Sequence, residues 1–253
     1  MNEERAGNAL NGEPHDSSLT EKLSGIKRRM ADSLVRSEKP NRVVKLIAVS
    51  KTFPAETIIQ ALDSGLRSFG ENRVQEIQSK FELLSDRNIE WHFIGHLQTN
   101  KVKKLLEVPV SCIHSLDRLE LGVELDRQLQ KLGKSRDVLV EVNTSREASK
   151  DGVSPDKLEE LVRELSGMGS LNVKGLMTIG ALSRDADVIR QCFVRLRECS
   201  SQIRNLGLAG IEMDELSMGM SGDFEIAIEE GATMIRIGSA LFGERTSTRS
   251  RPS

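Results

Sequence analysis

Eight short apolar runs, each followed by a stretch of helical periodicity and spaced about thirty residues apart, constrain this chain more than any other feature. Such alternation demands a parallel sheet, because each strand is re-entered from the same end through a crossover helix. Eight units in 253 residues match the arithmetic of a closed (β/α)8 barrel. A doubly wound open sheet is the runner-up, but it ordinarily carries a glycine-rich first turn. Here the first strand leads into Ser50-Lys51-Thr52-Phe53-Pro54, without G-x-G-x-x-G, and no G-x-x-x-x-G-K-[ST] loop occurs elsewhere. The expected fold class is α/β, a single (β/α)8 TIM barrel.

The strands are expected at 42–50, 67–70, 90–94, 112–116, 137–142, 173–179, 215–220 and 234–237. A helix carrying Leu19, Leu23, Ile26 and Met30 precedes the first. Helices follow at 55–64, 74–84, 99–107, from Asp117 to Leu132, from Ser154-Pro155, at 185–205 and 221–230, with a short one at 239–242. Asp117 with Glu120 three residues on reads as a capping box. Residues 1–17 read as a disordered lead, 18–245 as the barrel and 246–253 as a disordered tail.

Within this pattern the run from Arg42 to Lys51 stands out. Val43, Val44, Leu46, Ile47, Ala48 and Val49 are too continuous for a half-exposed strand, which predicts burial on both faces. Lys51 then falls at the carboxyl end, where barrels bind their ligands. Taken alone, a lysine there is more often a solvated strand end than a reactive amine.

Composition narrows the function. Lys and Arg number 36 against 38 Asp and Glu, so no global field recruits nucleic acid or a membrane surface. Aromatics are 3% of the chain and tyrosine is absent, leaving few stacking platforms for single strands. Cys112, Cys192 and Cys199 lack C-x-x-C spacing, which argues against a disulfide framework or a zinc site and favours a reducing, cytoplasmic compartment. Residues 1–17 have neither a hydrophobic signal region nor the acid-poor character of a transit peptide, so no targeting segment is expected there, and no run of about 20 apolar residues occurs.

Two late segments have the character of anion sites. Met218-Gly219-Met220-Ser221-Gly222-Asp223 and Arg236-Ile237-Gly238-Ser239 each join a strand to a helix through small residues. In barrels the loops after strands seven and eight recurrently hold phosphate. Gly222 and Gly238 read equally well as ordinary turn glycines. His92 and His96 are four residues apart, but on a strand and its exit that spacing does not align two rings. With no acidic cluster around any histidine, no metal is expected. Lys101, Lys103 and Lys104 read as a solvated helix face.

The motifs AVSKTFP (48–54), FGENRVQE (69–76), WHFIGHLQTNK (91–101), EVNTSREASKDG (141–152) and GLMTIG (175–180), with LSMGMSGDFEIAI and MIRIGSALFGER near the end, resemble the pyridoxal phosphate homeostasis proteins. The resemblance runs collinearly from about residue 20 to residue 245. It implies a barrel of the alanine racemase N-terminal-domain type that binds pyridoxal 5'-phosphate (PLP), a vitamin B6 form, as an internal aldimine on Lys51. It also implies that Asn72 lies near the cofactor, and that Ser221, Gly222, Arg236, Gly238 and Ser239 hold its phosphate and ring. Arg236 is open between ring nitrogen and phosphate. Arg73, Arg146, Ala232 and Ala240 depart from residues common in the family.

The implied function is non-catalytic: PLP homeostasis by a cytoplasmic monomer that buffers the cofactor or delivers it to apo-enzymes. The alternative is a PLP-dependent amino-acid racemase. Two-sided proton transfer needs a second acid/base besides lysine, which the racemases take as a tyrosine from a second domain. The chain has no tyrosine, and the barrel units consume its length. To form an imine, the lysine must lose its proton, for which desolvation or a neighbouring cation such as Arg236 lowers its pKa.

Overall fold

The computed structural model describes residues 18–145, 147 and 149–243. Its eight strands are β1 Lys45–Val49, β2 Ser68–Glu71, β3 Glu90–Phe93, β4 Val110–Leu116, β5 Arg136–Glu141, β6 Leu171–Met177, β7 Ile211–Ser217 and β8 Met234–Ile237. Every neighbouring pair is parallel, and β8 returns to β1, with Lys45 opposite Met234 and Ala48 opposite Ile237. This is the closed barrel that the alternation demands.

Helix α1 (Leu19–Arg36) precedes the barrel, and α2 (Ala55–Asp63) and α3 (Val74–Leu83) follow β1 and β2. A 3-10 turn at Thr99–Lys101 runs into α4 (Val102–Leu105), succeeded by α5 (Leu119–Leu132), α6 (Pro155–Leu165), α7 (Ala186–Asn205), α8 (Phe224–Glu229) and α9 (Ser239–Phe242). The two-sided burial of β1 has a direct cause. Ile47 points inward and packs with Cys112, Leu139, Met177 and Met234, while Ala48 points outward into the larger core between strands and helices.

Several boundaries move for identifiable reasons. Val43 is 84% exposed, so β1 begins at Lys45. β7 starts four residues before 215, because Glu212 and Asp214 face solvent around a buried Met213 and hide the strand in a charged alternation. The cap of α5 is Arg118 in extended backbone, without a side-chain bond, and Asp117 instead accepts from the Arg118 guanidinium at 2.5 Å. A capping box does occur elsewhere, between Ser18 and Glu21 at the start of α1. The expected helix at 221–230 starts only at Phe224, because Asp223 Oδ1 accepts the Met220 N–H at 2.6 Å and closes a turn first. The segment expected as a helix at 99–107 holds only the 3-10 turn and the short α4. The expected disordered lead and tail lie outside the described residues. Among those described, no helix is long and apolar enough to cross a membrane, and all three cysteines are buried and unbridged.

Candidate functional site

At the carboxyl ends of the strands opens a cavity of about 610 Å³, and Lys51, Asn72, Ser221, Gly222, Arg236, Gly238 and Ser239 all line it. Val49, Ile94, Ile179 and Met220 supply its apolar walls. Residues as far apart in sequence as Val49 and Gly243, 194 positions, therefore meet in one space.

Lys51 leaves β1 at a sharp turn. Thr52 adopts φ 68°, a strained value for a β-branched residue, and its N–H is held by the Glu76 carboxylate at 2.9 Å. Phe53 closes the turn against Phe242, with ring centroids 5.1 Å apart. Behind the lysine lies a buried ion pair. Lys80 Nζ donates to Glu71 Oε1 at 2.5 Å and to the Ser50 carbonyl at 2.8 Å, and the Ser50 hydroxyl donates to the same Glu71 oxygen at 2.7 Å. Burial raises the Glu71 carboxyl above its ordinary range, against the opposing pull of Lys80. Ser50 precedes Lys51 and Glu71 precedes Asn72, so one ion pair fixes the backbone of two cavity residues.

Asn72 is placed by its neighbour strand. A Cβ on Gly95 would lie 2.2 Å from the Asn72 carbonyl oxygen, so only glycine lets the β3 exit press this closely on it. Asn72 Oδ1 is buried and accepts no hydrogen bond from the described residues. A buried acceptor without a partner, on a residue that lines the cavity, is suited to a ligand hydroxyl or N–H.

The opposite wall is made of backbone. Gly219 takes φ 92°, and a Cβ there would lie 2.6 Å from Ala227 Cβ. The Gly238 and Ala240 N–H groups converge on Ser221 Oγ at 3.3 and 3.2 Å, which is donor geometry a phosphate oxygen can share. Beside them Arg236 is buried, donating to Ser217 Oγ at 2.7 Å and to the Thr178 carbonyl at 2.8 Å. Burial lowers its pKa to about 10, offset by Glu141 and Asp223, so it remains a cation at neutral pH.

Sequence reasoning missed Lys80, Ser217, Thr178 and Glu141. The Glu141 carboxyl is pushed up to about 7 by burial, with Asp117 and Asp151 adding repulsion and Arg236 opposing. None of these has a local signal, since each acts through partners on other strands. The expectation about histidine surroundings is corrected. His96 Nδ1 lies 3.6 Å from Asp117 and 3.5 Å from Asp151, and His92 Nε2 lies 3.5 Å from Glu90. Acidic neighbours exist: those of His96 come from the β4 exit and the loop after β5, and Glu90 shares β3 with His92. His92, Cys112 and His114 also converge, as do His96, Asp117 and Asp151, with ligand-capable atoms within 4.8 Å in each group. Of the family departures, Arg73 is exposed, Ala232 is core and Ala240 acts through its backbone N–H, and none of the three lines the cavity. Arg146 lies outside the described residues.

The family model for the alanine racemase N-terminal domain matches residues 28–246. A pyridoxal phosphate homeostasis protein of Aquifex aeolicus (strain VF5) is 44% identical over 225 residues, covering 89% of this chain and 97% of that protein. The chain belongs to the pyridoxal phosphate homeostasis protein family. Beyond that homeostasis protein, PipY of Synechococcus elongatus PCC7942, solved with PLP bound, matches at TM-score 0.79 and 35% identity, covering 89% of this chain and 100% of that one. An alanine racemase of Clostridium difficile 630 shares the fold alone, at TM-score 0.70 and 14% identity, with 90% of this chain matching 58% of the racemase.

Proposed function

We propose that this protein binds PLP in the mouth of its barrel and takes part in PLP homeostasis without turning over a substrate. The observation that carries the reading is the composition of the cavity. It joins one lysine, one arginine, an unsatisfied Asn72 oxygen and convergent backbone N–H groups. Among the described residues no carboxylate, imidazole or phenol lines it.

The residues fit the cofactor. Ser221, Gly222, Gly238 and Ser239 would hold the phosphate, Asn72 and Arg236 the ring, and Lys51 the aldehyde carbon as a Schiff base. Bound PLP supplies an electrophilic carbon and an electron-withdrawing ring. Lys51 supplies the amine, held by the Ser50 and Thr52 turn, and the apolar walls limit water at the linkage. Arg236 keeps its own proton at neutral pH, and a cation against the ring nitrogen would disfavour protonation there and weaken the ring as an electron sink. Lys51 is the only amine among the described cavity residues, so no second acid/base is in place for inversion at an α-carbon.

The same reading extends to residues 18–245 as one PLP-binding unit, a monomer in the cytoplasm, with apo-forms of PLP-dependent enzymes as recipients. Three buried, unbridged cysteines support a reducing compartment. The test is borohydride reduction of the PLP-loaded protein followed by peptide mapping. The reduced adduct is expected on the Lys51 peptide and absent in Lys51→Ala, and an adduct on another lysine overturns the assignment. Incubation with L-amino acids in deuterated water is expected to give no Lys51-dependent inversion, and robust inversion would make the protein a racemase.

A further inference from the structure

A file of polar side chains crosses the barrel interior, and the cofactor reading uses only one end of it. Arg236 Nη1–H donates to Ser217 Oγ at 2.7 Å. Ser217 Oγ lies 3.0 Å from His114 Nδ1, and His114 Nε2 lies 2.9 Å from His92 Nδ1. His92 Nε2 faces Glu90 Oε1 at 3.5 Å. Glu90 accepts from Lys45 Nζ at 2.6 Å and from Ser68 Oγ at 2.5 Å. Lys45, Ser68 and Glu90 open β1, β2 and β3, whereas Arg236 lines the cavity at the other end. Ser217, His114 and His92 are fully buried along the way.

The two ends decide where every proton in the file sits. A guanidinium only donates and an ionised carboxylate only accepts. With both imidazoles neutral, one assignment gives each polar atom a role. His92 Nε2–H points at Glu90, His114 Nε2–H donates to the bare His92 Nδ1, and the Ser217 hydroxyl donates to the bare His114 Nδ1 while its oxygen accepts from Arg236. Burial, with the nearby Arg236 cation adding to it, lowers the His114 pKa well below the ordinary value and keeps that ring neutral. At the far end His92, Lys45 and Ser68 hold the Glu90 carboxyl well below the ordinary range, so it stays an acceptor. The contact between His92 and Glu90 is longer than a formed hydrogen bond, and His92 Nε2 has no other partner among the described residues. Coupling is therefore weakest at the amino-terminal end and strongest beside Arg236.

We propose that His114 and His92 are positioning residues for Arg236, held as neutral Nε2–H tautomers that fix the Ser217 hydroxyl and so the guanidinium facing the cavity. An arginine clamped by Ser217 Oγ and the Thr178 carbonyl presents its remaining N–H groups in a single direction. Losing the clamp frees the side chain to other rotamers and costs the ordering it had before a ligand arrives. The inference about the cofactor rests on the PLP reading; the tautomers do not.

Imidazole ¹⁵N spectra of the full chain without PLP test the first part. His114 and His92 are each expected to show a bare Nδ1 and a protonated Nε2 at neutral pH. A doubly protonated His92, or the reversed tautomer at His114, would overturn the proposal. The second part compares PLP release from His114→Leu, which ends the file, with His114→Gln, whose carboxamide keeps one donor and one acceptor. Release is expected to quicken about tenfold in His114→Leu, the loss of roughly one buried hydrogen bond, and to stay within about threefold of the parent in His114→Gln. Ser217→Ala, a smaller change, gives the same comparison where His114→Leu does not fold. Parent-like release from the broken file would overturn the positioning role. Failure of the parent protein to bind PLP at all would sink the cofactor reading while leaving the tautomer result to stand.

Discussion

The two sides of the barrel mouth are built on different principles. On the β1 and β2 side, a charged pair does the fixing: Lys80 and Glu71, both buried, tie Ser50 and hence Lys51 to the end of β2 and the last turn of α3. On the β7 and β8 side, backbone conformation does it, through the left-handed Gly219 and the N–H groups that converge on Ser221. A reactive side chain needs its backbone immobilised from behind, which an ion pair achieves. An oxygen-rich ligand group needs donors presented at short range, from a loop that packs on α8 as closely as only a glycine at 219 permits. The first side is thus vulnerable to loss of charge and the second to gain of a methyl group.

The largest effect should come from breaking the pair. Lys80→Met leaves Glu71 buried and uncompensated, and urea denaturation should register a loss of about 3–5 kcal/mol. Adding Glu71→Leu is expected to recover most of it. If the single variant unfolds at the parent midpoint, the charged side is not built as described.

A pH series extends the comparison to the neighbouring Glu141. Its carboxyl is raised to about 7 in the folded protein, so between about 4.5 and 7 the native state keeps a proton that the unfolded chain has lost. Stability from this group is present below the unfolded value and is lost as pH rises through the folded one, up to about 3 kcal/mol. Thermal melts of Glu141→Gln should accordingly show a flatter profile over that window than the parent. An identical slope in both proteins counts against the raised value.

On the conformational side, Gly219→Ala forces a Cβ to within 2.6 Å of Ala227 Cβ at a φ that disfavours it. A loss of about 2 kcal/mol is expected from chemical denaturation, combining overpacking with backbone strain. The smallest effect belongs to Gly222, three residues on in the same loop. A Cβ there meets no atom within 4 Å, and Gly222→Ala should change stability by no more than about 0.5 kcal/mol. Equal costs at the two glycines would remove the distinction between a required and an incidental one.

The sequence by itself determined the barrel, the position of Lys51 and the two late glycine-bearing loops. These are local signals: an apolar run buried on both faces, a period change from strand to helix, and small residues at strand exits, each readable within about ten residues. It also carried the family, through motifs that recur in collinear order. Where local signals are masked, boundaries slipped, as at β7, whose charged residues alternate with a buried Met213. Only the tertiary structure decided which buried polar residues meet, between helix and sheet or inside the barrel. Lys80 and Glu71 are 9 residues apart, His92 and His114 are 22 apart, and His114 and Ser217 are 103 apart. Closing a parallel sheet turns the inward residues of all its strands toward one axis, so partners there are chosen by strand order and stagger rather than by neighbours in the chain. The acids beside His96 and the file behind Arg236 were invisible for that reason.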